Sequence, residues 1–381
     1  MCPDLTEEQN AIRDMALEFA KTKLAPFAGK WDETKTLPVE TLREAAGLGL
    51  AGITVPESSG GSGLGRLDAT IIFEALATGC PSVAAFLSIH NMATWMVDRF
   101  GNPTLKTKAL SGLLSMQSIA SYCLTEPGAG SDAAALTTRA DRDSEDYVVT
   151  GTKQFISGAG VSDWYITMVR TGADGPGGIT ALAIPASTPG LSFGVQERKM
   201  GWNAQPTAQV IFEKCRVPVA NRLGDEGEGF KIAMMGLDGG RLNIAACSIG
   251  GAQAALDRTL SYMATRKAFG RTIDQFQALQ FQIADMATEL EAARALLHKA
   301  ARALDAGDPE ATRLVAMAKR FATDAGFTVA DTALQLHGGY GYLADYGIEK
   351  IVRDLRVHRI LEGSNEIMRL IIARSLIEKG R

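Results

Sequence analysis

Thr6 and Gln9 stand at the spacing of a reciprocal helix cap, and behind them Ile12, Met15, Ala16, Phe19 and Ala20 recur at helical period. The chain therefore begins with an amphipathic helix. The same period predicts helices over Pro38 to Leu50, Leu67 to Ala77 and Pro81 to Phe100, the last largely buried, with Gly60-Gly61-Ser62-Gly63 as a loop. From about Ser118 the texture changes. Short runs rich in β-branched and aromatic residues, Tyr147-Val148-Val149, Phe155-Ile156, Trp164-Tyr165-Ile166-Thr167 and Gln209-Val210-Ile211-Phe212, alternate with Gly, Asp and Pro. No helical pattern of useful length separates them, so they predict an antiparallel, barrel-like sheet rather than a βαβ array, ending near Gly224-Asp225-Glu226-Gly227.

Helical periodicity returns beyond Phe230, over Asp238 to Thr265, Ala278 to Leu304, Pro309 to Leu336, Ile348 to Arg356 and a terminal helix after Ser364. Ile283, Met286, Leu290, Ala293 and Leu297 form one stripe, and Asp305-Ala306-Gly307-Asp308-Pro309 turns the chain back, as in a helix bundle. The predicted fold class is α+β and multidomain: an N-terminal helical domain at 1–117, a middle antiparallel β-barrel-like domain at 118–226 and a C-terminal helical bundle at 227–381.

A length of 381 residues exceeds what one compact core usually holds, and so fits this division. With 46% apolar and 22% charged residues and no apolar run long enough to cross a bilayer, the chain is expected outside the membrane. A net charge of -4 with Lys and Arg dispersed argues against a nucleic acid partner. Cys2, Cys80, Cys123, Cys215 and Cys247 are scattered without a C-x-x-C pair, and His90, His298, His337 and His358 lack metal-cluster spacing. Neither disulfides nor a metal site is expected. As Met1 leads directly into polar helix signals, the predicted compartment is a reducing one: the cytoplasm, or the mitochondrial matrix for a mature organellar form.

Chemistry concentrates near the end, in Arg359-Ile360-Leu361-Glu362-Gly363-Ser364-Asn365-Glu366-Ile367. Gly363 lets the backbone turn sharply, and Ser364 or Asn365 can cap the helix that Ile367, Leu370, Ile371 and Leu376 propagate, so Glu362 falls on the turn itself. Behind Ile360 and Leu361 its carboxylate is expected to be partly desolvated, with a raised pKa, which makes it a candidate general base. It would equally complement the dipole of the following helix, and spacing alone leaves both roles open.

Three further segments have a ligand-binding and a plain reading. Glu126-Pro127-Gly128-Ala129-Gly130-Ser131-Asp132-Ala133 contains G-x-G-x-x-A, but strand-like sequence follows where a dinucleotide fingerprint needs a helix. Its backbone N-H groups, with Thr125 and Ser131, could hold a polar ring edge or a phosphate, or simply form a turn. Gln335-Leu336-His337-Gly338-Gly339-Tyr340-Gly341 closes a helix with more glycine than one cap needs, leaving backbone open to a flat or phosphorylated ligand. Arg266-Lys267-Ala268-Phe269-Gly270-Arg271 offers cations and an aromatic ring, as a pyrophosphate site or as a solvated helix end.

Tyr122-Cys123-Leu124-Thr125-Glu126-Pro127-Gly128-Ala129-Gly130-Ser131-Asp132, Arg266 to Gly270, Gln335 to Gly341 and Leu361-Glu362-Gly363-Ser364-Asn365-Glu366, in this order, make a chain that resembles the acyl-CoA dehydrogenase family over essentially its whole length. The resemblance implies a C-terminal four-helix bundle and FAD held between it, the β domain and an adjacent subunit of a homotetramer. It places Tyr122, Leu124, Thr125, Gly130 and Ser131, with Phe155, Ile156 and Ser157, along the flavin. Thr125 would lie near the isoalloxazine, and Ser131 would also touch CoA. Arg266, Phe269, Gln277, Gln335, Gly338 and Gly339 correspond to contacts with a neighbouring subunit's FAD, and Ser364, Asn365 and Glu366 to its adenine-diphosphate end. Asp238 and Arg241 correspond to binders of the acyl-CoA pantetheine and nucleotide, with Leu361 and Gly363 also at the substrate.

Glu362 matches the family's catalytic base. In some branched-chain members that carboxylate comes from the position occupied here by Gly240, which is vacant in this chain. The implied reaction is α,β-dehydrogenation of an acyl-CoA: Glu362 removes the α proton, the β carbon gives hydride to flavin N5, and the thioester oxygen is held by the Glu362 N-H and a ribityl hydroxyl. Electron-transferring flavoprotein is the implied acceptor. Gly201-Trp202-Asn203-Ala204-Gln205-Pro206-Thr207, Asn221-Arg222-Leu223-Gly224 and Arg356 to Glu366 are most similar to the branch acting on isobutyryl-CoA, giving methacrylyl-CoA in valine degradation. Leu361 stands where Tyr is common and Phe155 where many members have Trp, which keeps 2-methylbutyryl-CoA and butyryl-CoA as alternatives. A flavin oxidase on the same scaffold is a further alternative.

Overall fold

Thr6 caps the first helix as its spacing requires: its hydroxyl accepts from the Gln9 N-H, and the Gln9 side chain accepts from the Thr6 N-H, each at 3.2 Å. The structure, a computed structural model, describes residues 5–379, so Met1 and Cys2 lie outside the described residues. The N-terminal third is helical: α1 (Glu7–Phe19), α2 (Ala28–Thr34), α3 (Val39–Gly47), α4 (Arg66–Gly79), α5 (Pro81–Phe100) and α6 (Pro103–Leu114). Pro81 and Pro103 open their helices at the position where a missing N-H costs nothing. Helices α2 and α6 join those read from the sequence.

The middle region comprises β1 (Ala120–Cys123), β2 (Arg139–Asp143), β3 (Asp146–Ser157), β4 (Trp164–Arg170), β5 (Ile179–Pro185), β6 (Leu191–Phe193), β7 (Thr207–Pro218) and β8 (Arg222–Leu223). They form one sheet in the order β6-β7-β3-β2-β4-β5-β8, with β1 added on β4. Most neighbours are antiparallel, as expected, but β1 runs parallel to β4, and β2 meets β4 through a single parallel pair, Arg139 with Arg170. The loop from Leu124 to Thr138 is the reason, since it carries the chain off β1 and back before the β2–β3 hairpin forms. The runs at Tyr147 and Phe155 belong to one strand, bulged between Val149 and Gly151 and between Lys153 and Ile156.

The C-terminal region holds α7 (Gly229–Thr265), a hairpin of β9 (Lys267–Ala268) with β10 (Arg271–Thr272), α8 (Gln277–Asp305), α9 (Ala311–His337), α10 (Ile348–Arg356) and α11 (Asn365–Lys379). Helix α7 begins at Gly229 rather than Asp238, because its glycines serve packing rather than turning. A Cβ on Gly250 would lie 2.0 Å from the Glu74 carbonyl oxygen, so α7 and α4 meet backbone to backbone. The first and last thirds therefore share one core, in which Phe73, Leu76 and Phe86 pack with Leu242, Ile249, Leu290 and Val329. A second cluster joins α5, α6 and the start of α7 to the sheet through Met92, Leu113, Ile232 and Ile166, and a third lies within the β region around Tyr147, Tyr165 and Phe212.

Polar contacts fasten the segment before Glu362. Trp202 donates its N-H to Asp354 Oδ1 at 2.6 Å and its indole N-H to His358 Nε2 at 3.1 Å, while Arg353 pairs with Asp32 at 2.7 Å. Burial pushes the His358 imidazole down to about 3, and the Lys319 charge adds to this, so the ring is a neutral acceptor for Trp202. Cys80, Cys123, Cys215 and Cys247 are free and buried. Among the described residues no helix is long and apolar enough to cross a membrane.

Candidate active site

After α10 and a tight turn over Val357–Arg359, the backbone reverses through two left-handed residues, Glu362 at φ 55° and Gly363 at φ 86°. A non-glycine residue in this region persists where its surroundings hold it. Here two cations do so: Arg241 Nε donates to the Glu362 carbonyl at 3.0 Å, and Lys319 Nζ donates to the Gly363 carbonyl at 2.7 Å and to Asn365 Oδ1 at 3.0 Å. The Ser364 hydroxyl accepts from the Ile367 N-H at 3.4 Å and caps α11.

The Glu362 carboxyl points inward. Its Oε2 is buried without a hydrogen-bond partner, and a Cβ on Gly240 would stand 2.8 Å from that atom. Burial pushes the carboxyl up to about 7, against the nearby charges of Arg241 and Lys319, which favour ionisation. The Tyr122 hydroxyl is also buried and unpartnered. Its pKa is raised well above the usual phenol range by burial and by the Glu362 charge, opposed by Arg241. Two buried polar atoms without partners thus lie within electrostatic reach of each other, as at a site built to receive a polar molecule.

Asp238 and Arg241, expected at acyl-CoA, pair with each other and contact neighbouring protein groups. Arg241 is buried and pairs with Asp238 at 2.8 Å, and Asp238 also accepts from the Thr312 hydroxyl at 2.9 Å. Asn365, expected at the adenine-diphosphate end of FAD, is likewise buried. Besides accepting from Lys319, its amide donates to Asp324 at 2.9 Å and Thr323 at 3.0 Å, so it anchors the start of α11 on α9. Leu361 and Gly363 flank the base, half-buried, and Glu366 is exposed.

Gly128 and Gly130 have ordinary φ values and open space where a side chain would stand, so glycine serves room there rather than turning. Beneath this loop Glu126 accepts from Lys153 at 2.7 Å and from the N-H groups of Thr137 and Thr138 at 2.7 and 2.9 Å, while Lys153 also donates to the Leu124 carbonyl at 3.1 Å. Burial would raise the Glu126 carboxyl, but the Lys153 charge and these hydrogen bonds outweigh it and hold the group down to about 2. Leu124 is buried, Thr125 half-buried and Ser131 exposed. On β3, Phe155 is 63% exposed at φ 58°, beside buried Ile156 and half-buried Ser157.

The remaining predicted residues gather elsewhere. Arg266, Phe269, Gln335, His337, Gly338 and Gly339 line a cleft of about 890 Å³, next to the exposed Gln277 at the start of α8; Glu362 is not among the lining residues. Arg266 stacks over the Tyr340 ring at 5.2 Å, Phe269 is 95% exposed at φ 50°, and Gly338 and Gly339 leave open space. Open backbone, an uncovered ring and a cation suit a flat, phosphorylated cofactor.

Lys319 and the Glu126–Lys153 pair were not singled out from the sequence. A signal for Lys319 exists, because it shares a helical face with Val315, Ala318 and Ala322 and so stands where an apolar residue is expected.

Models described as the acyl-CoA dehydrogenase N-terminal, middle and C-terminal domains match residues 6–117, 121–215 and 227–377. The fold and site define a flavin-dependent oxidoreductase, and the chain belongs to the acyl-CoA dehydrogenase family. It is similar to the mitochondrial isobutyryl-CoA dehydrogenase of Dictyostelium discoideum, at 56% identity over 373 residues, 98% of this chain and 90% of that one. Among solved structures it is similar to butyryl-CoA dehydrogenase from Megasphaera elsdenii, with a TM-score of 0.95 and 36% identity over 99% of this chain and 100% of that one. It is also similar to an FAD complex of PigA, with a TM-score of 0.94 and 32% identity over 99% of each chain.

Proposed function

We propose that the protein dehydrogenates a short branched-chain acyl-CoA at its α,β bond, converting isobutyryl-CoA to methacrylyl-CoA in valine degradation, with FAD as cofactor. The observation that carries this reading is the Glu362 carboxyl, buried on a strained turn with Oε2 unpartnered and titrating at about 7. The likeness to an isobutyryl-CoA dehydrogenase supports the substrate. Bound FAD supplies the acceptor for the hydride that leaves the β carbon.

Glu362 takes the α proton at Oε2. A carboxyl raised towards neutral pH serves as a base without a large driving-force deficit. An α proton beside a thioester is still too weakly acidic for a free carboxylate, so charge developing on the carbonyl oxygen needs hydrogen-bond donors. The Glu362 N-H is assigned as one such donor. Arg241 and Lys319 fix the turn, and hence the direction of Oε2. Tyr122, Leu124, Thr125, Gly130, Ser131, Phe155, Ile156 and Ser157 are assigned to the flavin. Arg266, Phe269, Gln277, Gln335, Gly338 and Gly339, with the turn from Ser364 to Glu366, are assigned to a neighbouring subunit's FAD.

This makes the working unit a homotetramer of chains divided at 1–117, 118–226 and 227–381, with electron-transferring flavoprotein as acceptor. The free thiols fit the mitochondrial matrix or the cytoplasm.

The test is the anaerobic visible spectrum of the purified holoprotein. Isobutyryl-CoA should bleach the flavin faster than 2-methylbutyryl-CoA or butyryl-CoA, and Glu362→Gln should keep its flavin without bleaching. Normal turnover in that variant would remove Glu362 as the base, and a rapid aerobic burst of hydrogen peroxide would replace the flavoprotein acceptor by oxygen.

A further inference from the structure

The turn bearing Glu362 is held from α9 by the side chain of Lys319. Lys319 is fully buried, and its ammonium is spent on the Gly363 carbonyl at 2.7 Å and Asn365 Oδ1 at 3.0 Å. Among the described residues no carboxylate lies within ion-pair distance of it. A lysine in a helix core without a contacting carboxylate is costly, and a purely structural donor to two neutral oxygens could be an uncharged amide.

The position of the charge gives it a use. Arg241 on α7 and Lys319 on α9 grip successive carbonyls, those of the two left-handed residues Glu362 and Gly363. Both cations are close enough to Glu362 to oppose the effect of burial on its carboxyl. The other charged and titratable groups around the turn are engaged or lie to one side. Asp238 pairs with Arg241, Asp324 pairs with Arg359 at 2.7 Å and Arg369 at 3.5 Å, Glu366 is exposed, and Tyr122 and His358 are neutral.

We infer that Lys319 is a positioning residue for proton abstraction: it pins the Glu362 turn through the Gly363 carbonyl and, with Arg241, supplies the positive charge that keeps the buried carboxylate ionised. This rests on Glu362 being the base. It also accounts for the Lys319 ammonium, which burial pulls down to about 7 while the Glu362 charge raises it and Arg241 lowers it.

The experiment uses the FAD-loaded protein carrying Lys319→Met, Lys319→Gln or Lys319→Arg. Two quantities are read against pH: the rate of flavin bleaching by isobutyryl-CoA, and the infrared carboxyl band that Glu362→Gln abolishes. Removing the charge should move both midpoints to higher pH by about one unit in Lys319→Met and Lys319→Gln. Lys319→Arg should restore the midpoint. A variant with full flavin content whose midpoints coincide with those of the parent overturns the inference. If Lys319→Met fails to fold, Lys319→Gln, which keeps a donor for Gly363, decides by the same criterion. If isobutyryl-CoA does not bleach the parent protein, the proposed function fails, and the infrared midpoint alone then decides the role of Lys319.

Discussion

Gly240 on α7 faces the carboxyl of Glu362 directly: a Cβ at position 240 would stand 2.8 Å from Oε2 and 3.0 Å from the carboxyl carbon. The absence of a side chain at one residue is therefore the space in which the other works. In Gly240→Ala the backbone would keep its helix, because the atom to be displaced is the end of a side chain, and alanine is the better helix former. The carboxylate would have to swing away. Displacement by about 1 Å is enough to cost up to about 100-fold in rate. The expected outcome is an unchanged or slightly raised Tm, normal flavin content and bleaching slowed at least about tenfold. Bleaching at the parental rate would show that Oε2 works from another direction.

The raised carboxyl of Glu362 fixes two pH dependences of opposite sense. Flavin reduction by acyl-CoA should rise with pH through about 7 and level off above it, because only the ionised base abstracts a proton. Stability runs the other way. A carboxyl whose folded pKa lies above its unfolded value stabilises fully below the unfolded value and loses that contribution as pH rises through the folded one. Glu362→Gln should therefore gain stability relative to the parent between the ordinary carboxyl value of 4.5 and about 7, and keep the advantage above that. The gain should be on the order of 3 kcal/mol. Urea unfolding of both proteins across this range measures it, and parallel curves would mean that Glu362 is solvated.

The sequence made local features legible and left the joints between them hidden. The cap at Thr6, the proline opening α5 and the limits of α10 follow from residues within a turn of each other. Helix α7 starts at Gly229 rather than at the predicted Asp238, because tertiary packing overrides the weak helix propensity of Gly229 and Gly236. Strand β1 lies parallel to β4 because of a loop excursion that no periodicity records. Glu362 could be found from its apolar approach and the glycine after it. The contacts that hold it come from Arg241 and Lys319, 121 and 44 positions from their acceptors, and only packing brings them together. The resemblance places Arg241 at the substrate, and its ion pair with Asp238 at 2.8 Å is a partner that no motif records.

Lys153 and Glu126 should control the glycine loop. Lys153→Met leaves a buried carboxylate without its cation, a change that costs about 3–5 kcal/mol where such a pair is broken. Because Lys153 also holds the Leu124 carbonyl, the loop from Leu124 to Ser131 should loosen, and flavin should be lost on gel filtration before the protein unfolds. The acid response gives a second reading. The depressed carboxyl of Glu126 contributes stability above its ordinary value of 4.5, and this is lost as pH falls towards about 2. In Lys153→Met that portion of the acid sensitivity should disappear. A variant with parental flavin retention and parental acid unfolding would separate this pair from the loop.

Phe269 presents the opposite case, a side chain that makes little sense within one chain. It is 95% exposed, left-handed at φ 50°, and stands at the tip of the β9–β10 hairpin before Gly270 at φ 83°. Its ring meets Phe276 edge-on at 6.1 Å and otherwise faces open space beside Arg266 and the open backbone of Gly338 and Gly339. An exposed ring in a strained conformation is retained when something outside the chain covers it. Phe269→Ala should change the stability of the isolated fold by no more than about 0.5 kcal/mol, as an exposed substitution does. If a neighbouring subunit's FAD covers the ring, losing that burial removes about 1.5–3 kcal/mol from cofactor retention, roughly 10- to 150-fold in affinity. The flavin-to-protein absorbance ratio after dilution measures cofactor retention, and the sedimentation coefficient measures the assembly that covers the ring. Both should fall in Phe269→Ala and recover in Phe269→Tyr. If both stay at parental values, the cleft between the hairpin and the end of α9 is not where the cofactor lies.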